Sequence, residues 1–294
     1  MNNYLRALRL PFITASILPF IFGSLIDRSH FDYAGFIFGL LAAVSTHFGA
    51  NLINDYADSK SGADWQDKRF FGFFGGTKLI QEGVFSEKFY LIQSIIYFSL
   101  AFISVIFLAL IKSSFLPVLC FLVIVLLGFS YSQKPFQFAY NRLGEFIIFL
   151  LFGPALVMGA YYIQTNIFPD LKSFMLSLPF GLLITAILFA NEVPDFDADQ
   201  SVRKMTWVSI VGRKNAYKLY LAMIFTALIL IVLNVYMKNL AWLSLAVLIF
   251  SFIPLKSAKI IKENFDKKEA LVESSKLTIV FQNISGLILI LALI

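Results

Sequence analysis

Ser177-Leu178-Pro179-Phe180-Gly181-Leu182-Leu183-Ile184-Thr185-Ala186-Ile187-Leu188-Phe189-Ala190-Asn191-Glu192-Val193-Pro194-Asp195-Phe196-Asp197-Ala198-Asp199 is an apolar run of helix length that ends in a cluster of carboxylates. A second stretch is built the same way. An apolar run from residue 34 ends in Asn51-Leu52-Ile53-Asn54-Asp55-Tyr56-Ala57-Asp58, with Gly62 and Asp64 just beyond it. A carboxylate beside hydrocarbon costs about 2.5–3.5 kcal/mol near a helix centre on insertion scales. A chain that keeps several of them in such places has something to compensate them. Divalent cations bridging to an anionic substrate are the compensation that fits acids of this density.

The surrounding composition sets the frame. The chain has 294 residues, 59% hydrophobic and 14% charged, with 34 Phe and a mean hydropathy of +0.80. That is too apolar for a water-soluble domain and predicts an all-α polytopic membrane protein. The first apolar run, Leu10 to Ile26, lacks a small-residue cleavage site and reads as a span, not a signal peptide. Spans need about 17–25 residues. Nine are expected, at 10–27, 34–56, 89–111, 115–132, 144–163, 173–193, 215–236, 239–256 and 276–294, forming one domain over 1–294. All but four of the 24 Lys and Arg residues then fall on one side; the exceptions are Arg28, Lys112, Lys172 and Lys238. The positive-inside rule puts the N-terminus and the long even-numbered loops in the cytoplasm and the C-terminus outside. The expected location is a bacterial or archaeal cell membrane. The net charge of +6 follows this topology and implies no nucleic-acid partner. Cys120 is the sole cysteine, so no intramolecular disulfide and no Cys–His metal spacing exists.

Both acidic clusters, 51–64 and 191–199, fall on the cytoplasmic side. On a helix, positions i, i+4 and i+7 share a face. Asn51, Asp55 and Asp58 meet that spacing, and Asn191, Asp195 and Asp199 meet it in steps of four, with Glu192 alongside. Asp197 is off the face. Pro194 predicts that its helix ends or kinks there. The all-oxygen donor set suits Mg²⁺, which takes one or two carboxylates and completes its shell with water and phosphate oxygens. Two such ions would join the clusters to a diphosphate. Cations for that anion stand nearby in sequence at Arg9, Lys78, Lys134, Arg203 and Lys204. His47, one turn before Asn51, either lines an acceptor pocket or is hydrogen-bonded within the bundle. Glu145 is either a helix-start acid favoured by the helix dipole or part of the site.

At these residues the chain resembles the UbiA superfamily of intramembrane aromatic prenyltransferases, which has nine transmembrane helices and two Asp-rich motifs on cytoplasmic loops. The first motif, Asn-Asp-x-x-Asp-x-x-x-Asp, is matched by Asn54, Asp55 and Asp58, with Gly62 in place of the last Asp and Asp64 two residues later. The second, Asp-x-x-x-Asp, is matched by Asp195 and Asp199. The Gly62-x-Asp64 ending, Gly75-Gly76-Thr77-Lys78, Tyr131-Ser132-Gln133-Lys134-Pro135, Leu143-Gly144-Glu145 and Asn191-Glu192-Val193-Pro194-Asp195 are similar to the branch acting on 1,4-dihydroxy-2-naphthoate in menaquinone synthesis. Phe71-Gly72-Phe73-Phe74 and Arg203-Lys204-Met205 depart from the family pattern without removing an acid.

The resemblance implies Mg²⁺-dependent transfer of a polyprenyl group from its diphosphate to an aromatic acceptor, here dihydroxynaphthoate with loss of its carboxylate. It implies Asp55, Asp58, Asp195 and Asp199 as catalytic metal ligands. Asn51 and Asn54 would orient them or bind directly, Asn191 would bind substrate, Lys78, Lys134, Arg203 and Lys204 would clamp the diphosphate, and Tyr131 would face the allylic cation. Other acceptors of the superfamily are 4-hydroxybenzoate, homogentisate, a glycerol-linked lipid, haem and chlorophyllide. A cation-coupled transporter is the rival from another class. It would carry acids near mid-membrane in several spans, whereas these acids collect at helix ends.

Overall fold

The structure, a computed structural model, describes residues 2–29 and 31–294, and its long elements are all helices. A short α1 (Asn3–Ala7) and a 3₁₀ turn (Leu10–Phe12) lead into α2 (Thr14–Leu25). Then follow α3 (Tyr33–Ser61), α4 (Glu87–Ile111), α5 (Leu116–Ser132), α6 (Gly144–Thr165) and α7 (Leu171–Ser201). A short α8 (Trp207–Val211) precedes α9 (Ala216–Tyr236), α10 (Trp242–Asn264) and α11 (Lys268–Leu291). Seven of the described helices are long and apolar enough to cross a membrane. The apolar helices Leu10–Leu25 and Leu116–Ser132 are shorter. These two shorter helices lie in the runs 10–27 and 115–132, which were also expected to span.

Outward faces leave large apolar side chains bare, such as Ile92, Ile95, Ile103 and Leu110 along α4, Ile229 on α9 and Ile249 on α10. In water such a surface would aggregate; against lipid it costs nothing. The molecule is an integral membrane protein. Its interior is built on fully buried rings, Phe22, Phe180, Phe189, Tyr220 and Phe281, of which Phe22 and Phe180 lie 4.9 Å apart. α6 carries one π-helical turn, Leu151–Ala155. It packs on α7 where two glycines meet: a Cβ on Gly153 would lie 2.8 Å from Gly181 Cα.

Several ends differ from the sequence-based expectation. α3 and α7 run to Ser61 and Ser201, beyond the expected 56 and 193. At 1.5 Å per residue they are about 44 and 46 Å long, against a hydrocarbon core of about 30 Å. Their acidic last turns therefore project out of the apolar layer while still helical. Of the two outcomes expected at Pro194, an end or a kink, the end does not occur: α7 continues through Pro179 and Pro194. A proline deletes one backbone donor, and the bonds on either side of it are enough to carry this helix onward. α11 begins at Lys268, ahead of the expected 276, because Lys268, Glu269 and Glu273 form polar first turns that hydropathy does not register. The first ten residues of α10, Trp242–Ser251, are 3₁₀.

The connections sort to two ends of the bundle. At one end Gly75 N–H donates to Asp195 (2.9 Å), Tyr140 OH to Ser61 (2.9 Å), Arg142 N–H to the Met205 carbonyl (2.8 Å) and Arg69 to Glu269 (2.6 Å). At the other end Lys112 donates to Asp32 (2.7 Å), Asp32 N–H to Gln164 (2.8 Å) and Arg28 to the Ile294 carbonyl (3.0 Å). The acidic clusters lie at the first end.

Candidate active site

The end of α3 explains the first acidic cluster. Gly62 closes the helix with a left-handed backbone (φ 89°), a conformation in which a side chain is costly. The acid that would stand there is displaced two residues on, to Asp64 in the 3₁₀ turn Ala63–Trp65, where it is buried. Gly76, also at positive φ, lies against that carboxylate, and a Cβ there would press directly on it. Lys78 reaches in from the following loop and donates to Asp64 Oδ1 (2.8 Å) and to its carbonyl (2.9 Å).

Asp55 and Asp58 are both buried but differently engaged. Asp55 is taken up by protein: the Arg9 guanidinium pairs with it and Thr77 Oγ1 donates to it at 2.5 Å. Asp58 accepts one bond from Tyr140 OH (3.2 Å) and faces a cavity of about 230 Å³. Asn51 and Asn54 line the same cavity; Asn54 is held by Ser132 at 2.8 Å, while Asn51 Nδ2 has no partner.

The second cluster supplies the opposite wall through Asn191, Glu192, Asp195 and Asp199. Asp195 accepts the Gly75 N–H. Asp199 pairs with Lys204 at 3.4 Å through Oδ1, and its carbonyl accepts the Lys204 N–H (2.8 Å). Asp199 Oδ2, Glu192 Oε2 and Asn191 Oδ1 are buried acceptors without a donor. Asp197, expected off the face, is 69% exposed and pairs with Arg213.

The charges bind the two walls electrostatically. Burial works against the Lys204 ammonium, but Asp199 and Asp58, one from each cluster, hold it well above the ordinary lysine range. Burial pushes Asp64 up to about 7, helped by Asp58 and Asp55 and opposed by Lys78. Burial and the neighbouring Asp58 likewise push Tyr140 up to about 12.

Of the other expected residues, Tyr131, Lys78 and Lys204 line the cavity. Lys134 and Arg203 do not: both are exposed and outside the lining. Nearness in sequence favoured Arg203, yet its left-handed backbone (φ 58°) turns the chain so that the next residue, Lys204, is the inward one. Glu145 is buried and receives the Trp207 N–H. Tyr140 and a strap over the cavity had no sequence signal. In the strap Asp67 binds Arg69 (2.8 Å) and Lys268 (3.0 Å), and Phe71 stacks on Phe74 (4.9 Å). Lys268 and Asp67 are two hundred residues apart, and only the fold joins them.

Among the described residues no three or more His, Cys, Asp or Glu form a group that could by itself hold a metal ion. The unpartnered oxygens of Asp199 and Asn191 do fit a hard cation that draws the rest of its shell from water and phosphate.

The chain is similar to known proteins in sequence and in fold. The chain is 31% identical over 212 residues to the UbiA prenyltransferase domain-containing protein 1 of Dictyostelium discoideum, covering 71% of this chain and 63% of that one. It is 26% identical to the 1,4-dihydroxy-2-naphthoate octaprenyltransferase of Bacillus subtilis (75% and 69% covered) and 25% identical to that of Escherichia coli (81% and 78%). Its fold is that of a UbiA homologue from Aeropyrum pernix, with a TM-score of 0.73 at 19% identity over 96% of this chain and 98% of that one. A homologue from Archaeoglobus fulgidus, solved with DMAPP and Mg²⁺, gives 0.64 at 17% identity over 98% and 99%. Residues 16–279 match the UbiA prenyltransferase family, and the chain is a membrane-embedded prenyltransferase of that family.

Proposed function

We propose that this enzyme transfers a polyprenyl group from polyprenyl diphosphate to 1,4-dihydroxy-2-naphthoate, with loss of the acceptor's carboxylate, in menaquinone synthesis. One observation carries the reading. The polar cavity adjoins an apolar cavity of about 520 Å³, and His47, Ala50, Gly128, Leu151 and Phe152 line both. A substrate with a charged head and a long hydrocarbon tail fits that pair of spaces. The names of the Bacillus and Escherichia relatives support the choice of acceptor.

Asp58, Asp195 and Asp199 would hold Mg²⁺, joined by Asp55 once Arg9 and Thr77 release it. Bound Mg²⁺ neutralises the diphosphate and makes it a better leaving group. Lys204 and Lys78 add fixed positive charge where the departing diphosphate gathers negative charge. Asn51 and Asn191, each with an unpartnered amide atom on the cavity wall, would bind the diphosphate or its ion directly, and Asn54, held by Ser132, lines the same wall. Tyr131 presents its ring to the allylic cation, worth about 0.5–2 kcal/mol. The apolar cavity keeps water from that cation, leaving the electron-rich ring carbon as the nucleophile. Lys134 and Arg203, exposed at the same end, attract the anionic substrate over distance without touching it.

The reading includes nine spans working as one unit over 1–294 in a bacterial or archaeal cell membrane, with the site and the N-terminus cytoplasmic and the C-terminus outside. Support comes from the concentration of Lys and Arg at the end that holds the acids. The test is prenyl transfer by the purified protein in detergent, with dihydroxynaphthoate or 4-hydroxybenzoate, in Mg²⁺ or in EDTA. Mg²⁺-dependent product from the naphthoate alone is expected. Product from the benzoate alone overturns the acceptor.

A further inference from the structure

Where the two cavities meet, the wall is nearly all apolar: Ala50 from α3, Gly128 from α5, and Leu151 with Phe152 from the π-helical turn of α6. The exception is His47. Its side chain is buried, Ser16 Oγ lies 2.8 Å from Nδ1, and Nε2 is buried with no partner. The imidazole plane is held by Phe48 and Phe152, both edge-on, with centroids 6.1 and 5.9 Å away. A ring fixed this firmly, with one nitrogen satisfied and the other not, is arranged to meet something absent from the protein itself.

The position narrows what that is. With the diphosphate at the carboxylate end and the tail in the apolar cavity, the allylic carbon lies at their junction. The acceptor ring must present its reacting carbon there too. A diphosphate would bring several negative oxygens to a wall that is otherwise hydrocarbon, and the prenyl tail offers nothing to bond. A phenolic hydroxyl both donates and accepts, so it satisfies Nε2 in either imidazole tautomer. There is also room for a ring: a Cβ on Gly128 would have no heavy atom within 4 Å.

We propose that His47 Nε2 binds a ring hydroxyl of the aromatic acceptor, with Ser16 fixing the imidazole, and that Gly128 leaves the space the ring occupies. This assigns the acceptor subsite and rests on the reading of the protein as an aromatic prenyltransferase. When the hydroxyl donates to Nε2 its oxygen releases electron density into the ring, and in either tautomer the hydrogen bond aims one carbon of that ring at the allylic carbon.

The test uses the full-length protein in detergent with geranyl diphosphate, Mg²⁺ and dihydroxynaphthoate. Replacing His47→Phe together with Ser16→Ala keeps the ring bulk and leaves no orphaned hydroxyl. It should raise the acceptor KM about tenfold while the KM for geranyl diphosphate stays at the wild-type value. His47→Gln, which places an amide near the Nε2 position, should recover part of that loss. Gly128→Leu should abolish transfer while Mg²⁺-dependent binding of geranyl diphosphate persists. Unchanged acceptor KM in the His47 variants overturns the proposal. So does an equal rise in both KM values with a lower melting temperature, which would make His47 a packing residue. If the wild type transfers only to 4-hydroxybenzoate, the naphthoate reading fails separately, and the same KM comparison with that phenol decides the role of His47.

Discussion

Asp199 shows most clearly how a single residue is left for a ligand. One oxygen meets Lys204 and the other is buried without a donor. Asp199→Asn keeps the shape and removes the charge. It should lower kcat/KM by about 10²-fold or more with little change in thermal melting. Asp55 differs, because its carboxylate already balances Arg9 inside the protein. Asp55→Asn removes that guanidinium's direct partner and leaves it only the more distant Asp64 and Asp58, so stability should fall with the activity, by up to about 3 kcal/mol, and melting in detergent should drop accordingly. Asp64 gives a pH signature. Its ordinary pKa is 3.8 and burial raises it to about 7. The unfolded chain thus releases this proton at the lower pH and the folded one at the higher. Stability is greatest below the lower value and falls as pH rises through the interval. The wild type should therefore lose more melting temperature between about pH 5 and about pH 7 than Asp64→Asn does; equal slopes would remove Asp64 as the source. Helical spacing singled out Asp58, Asp195 and Asp199 in the sequence, and all three line the cavity. It could not tell that Asp55 is occupied, since Arg9 and Thr77 arrive from other elements. Nor could it choose Lys204 over Arg203, which depends on one left-handed residue.

At the scale of elements, the apolar runs announced themselves, and their ends did not. Hydropathy marks where hydrocarbon stops, whereas α3, α7 and α11 remain helical in their polar turns. Those extra turns carry the site. Gly62 ends α3 in a conformation open to glycine, with open space around its Cβ position. Gly62→Asp would restore the acid of the family motif, yet it should cost about 1 kcal/mol and add no activity, because Asp64 already places a carboxylate in the cavity wall, paired with Lys78. A gain in turnover would contradict this account of the loop. The π-turn packing makes an opposite demand. Gly153→Leu forces a side chain onto Gly181 of α7 and should destabilise by about 1–3 kcal/mol or more, seen as a lower melting temperature. The 3₁₀ start of α10 left no trace in the sequence, because its apolar residues suit either helix.

At the scale of the molecule, charge and connection agree. The loops that carry most of the Lys and Arg touch one another, and so do the sparsely charged ones at the far end. In a Cys120→Ser background, Lys238→Cys should react with an impermeant thiol reagent on intact cells, and Lys262→Cys only after permeabilisation. The reverse pattern would invert the topology. Lys238→Ala, far from the site, should leave activity unchanged.

The central claim is that two acidic helix ends, distant in sequence, make one diphosphate site. The most direct measurement is a double-mutant cycle on Mg²⁺-dependent prenyl transfer, with Asp58→Asn, Asp199→Asn and both together. A shared site predicts that each single change removes most of kcat/KM and that the double variant is little worse than either. Losses that multiply as if independent, or near-native activity in either single variant, would contradict it.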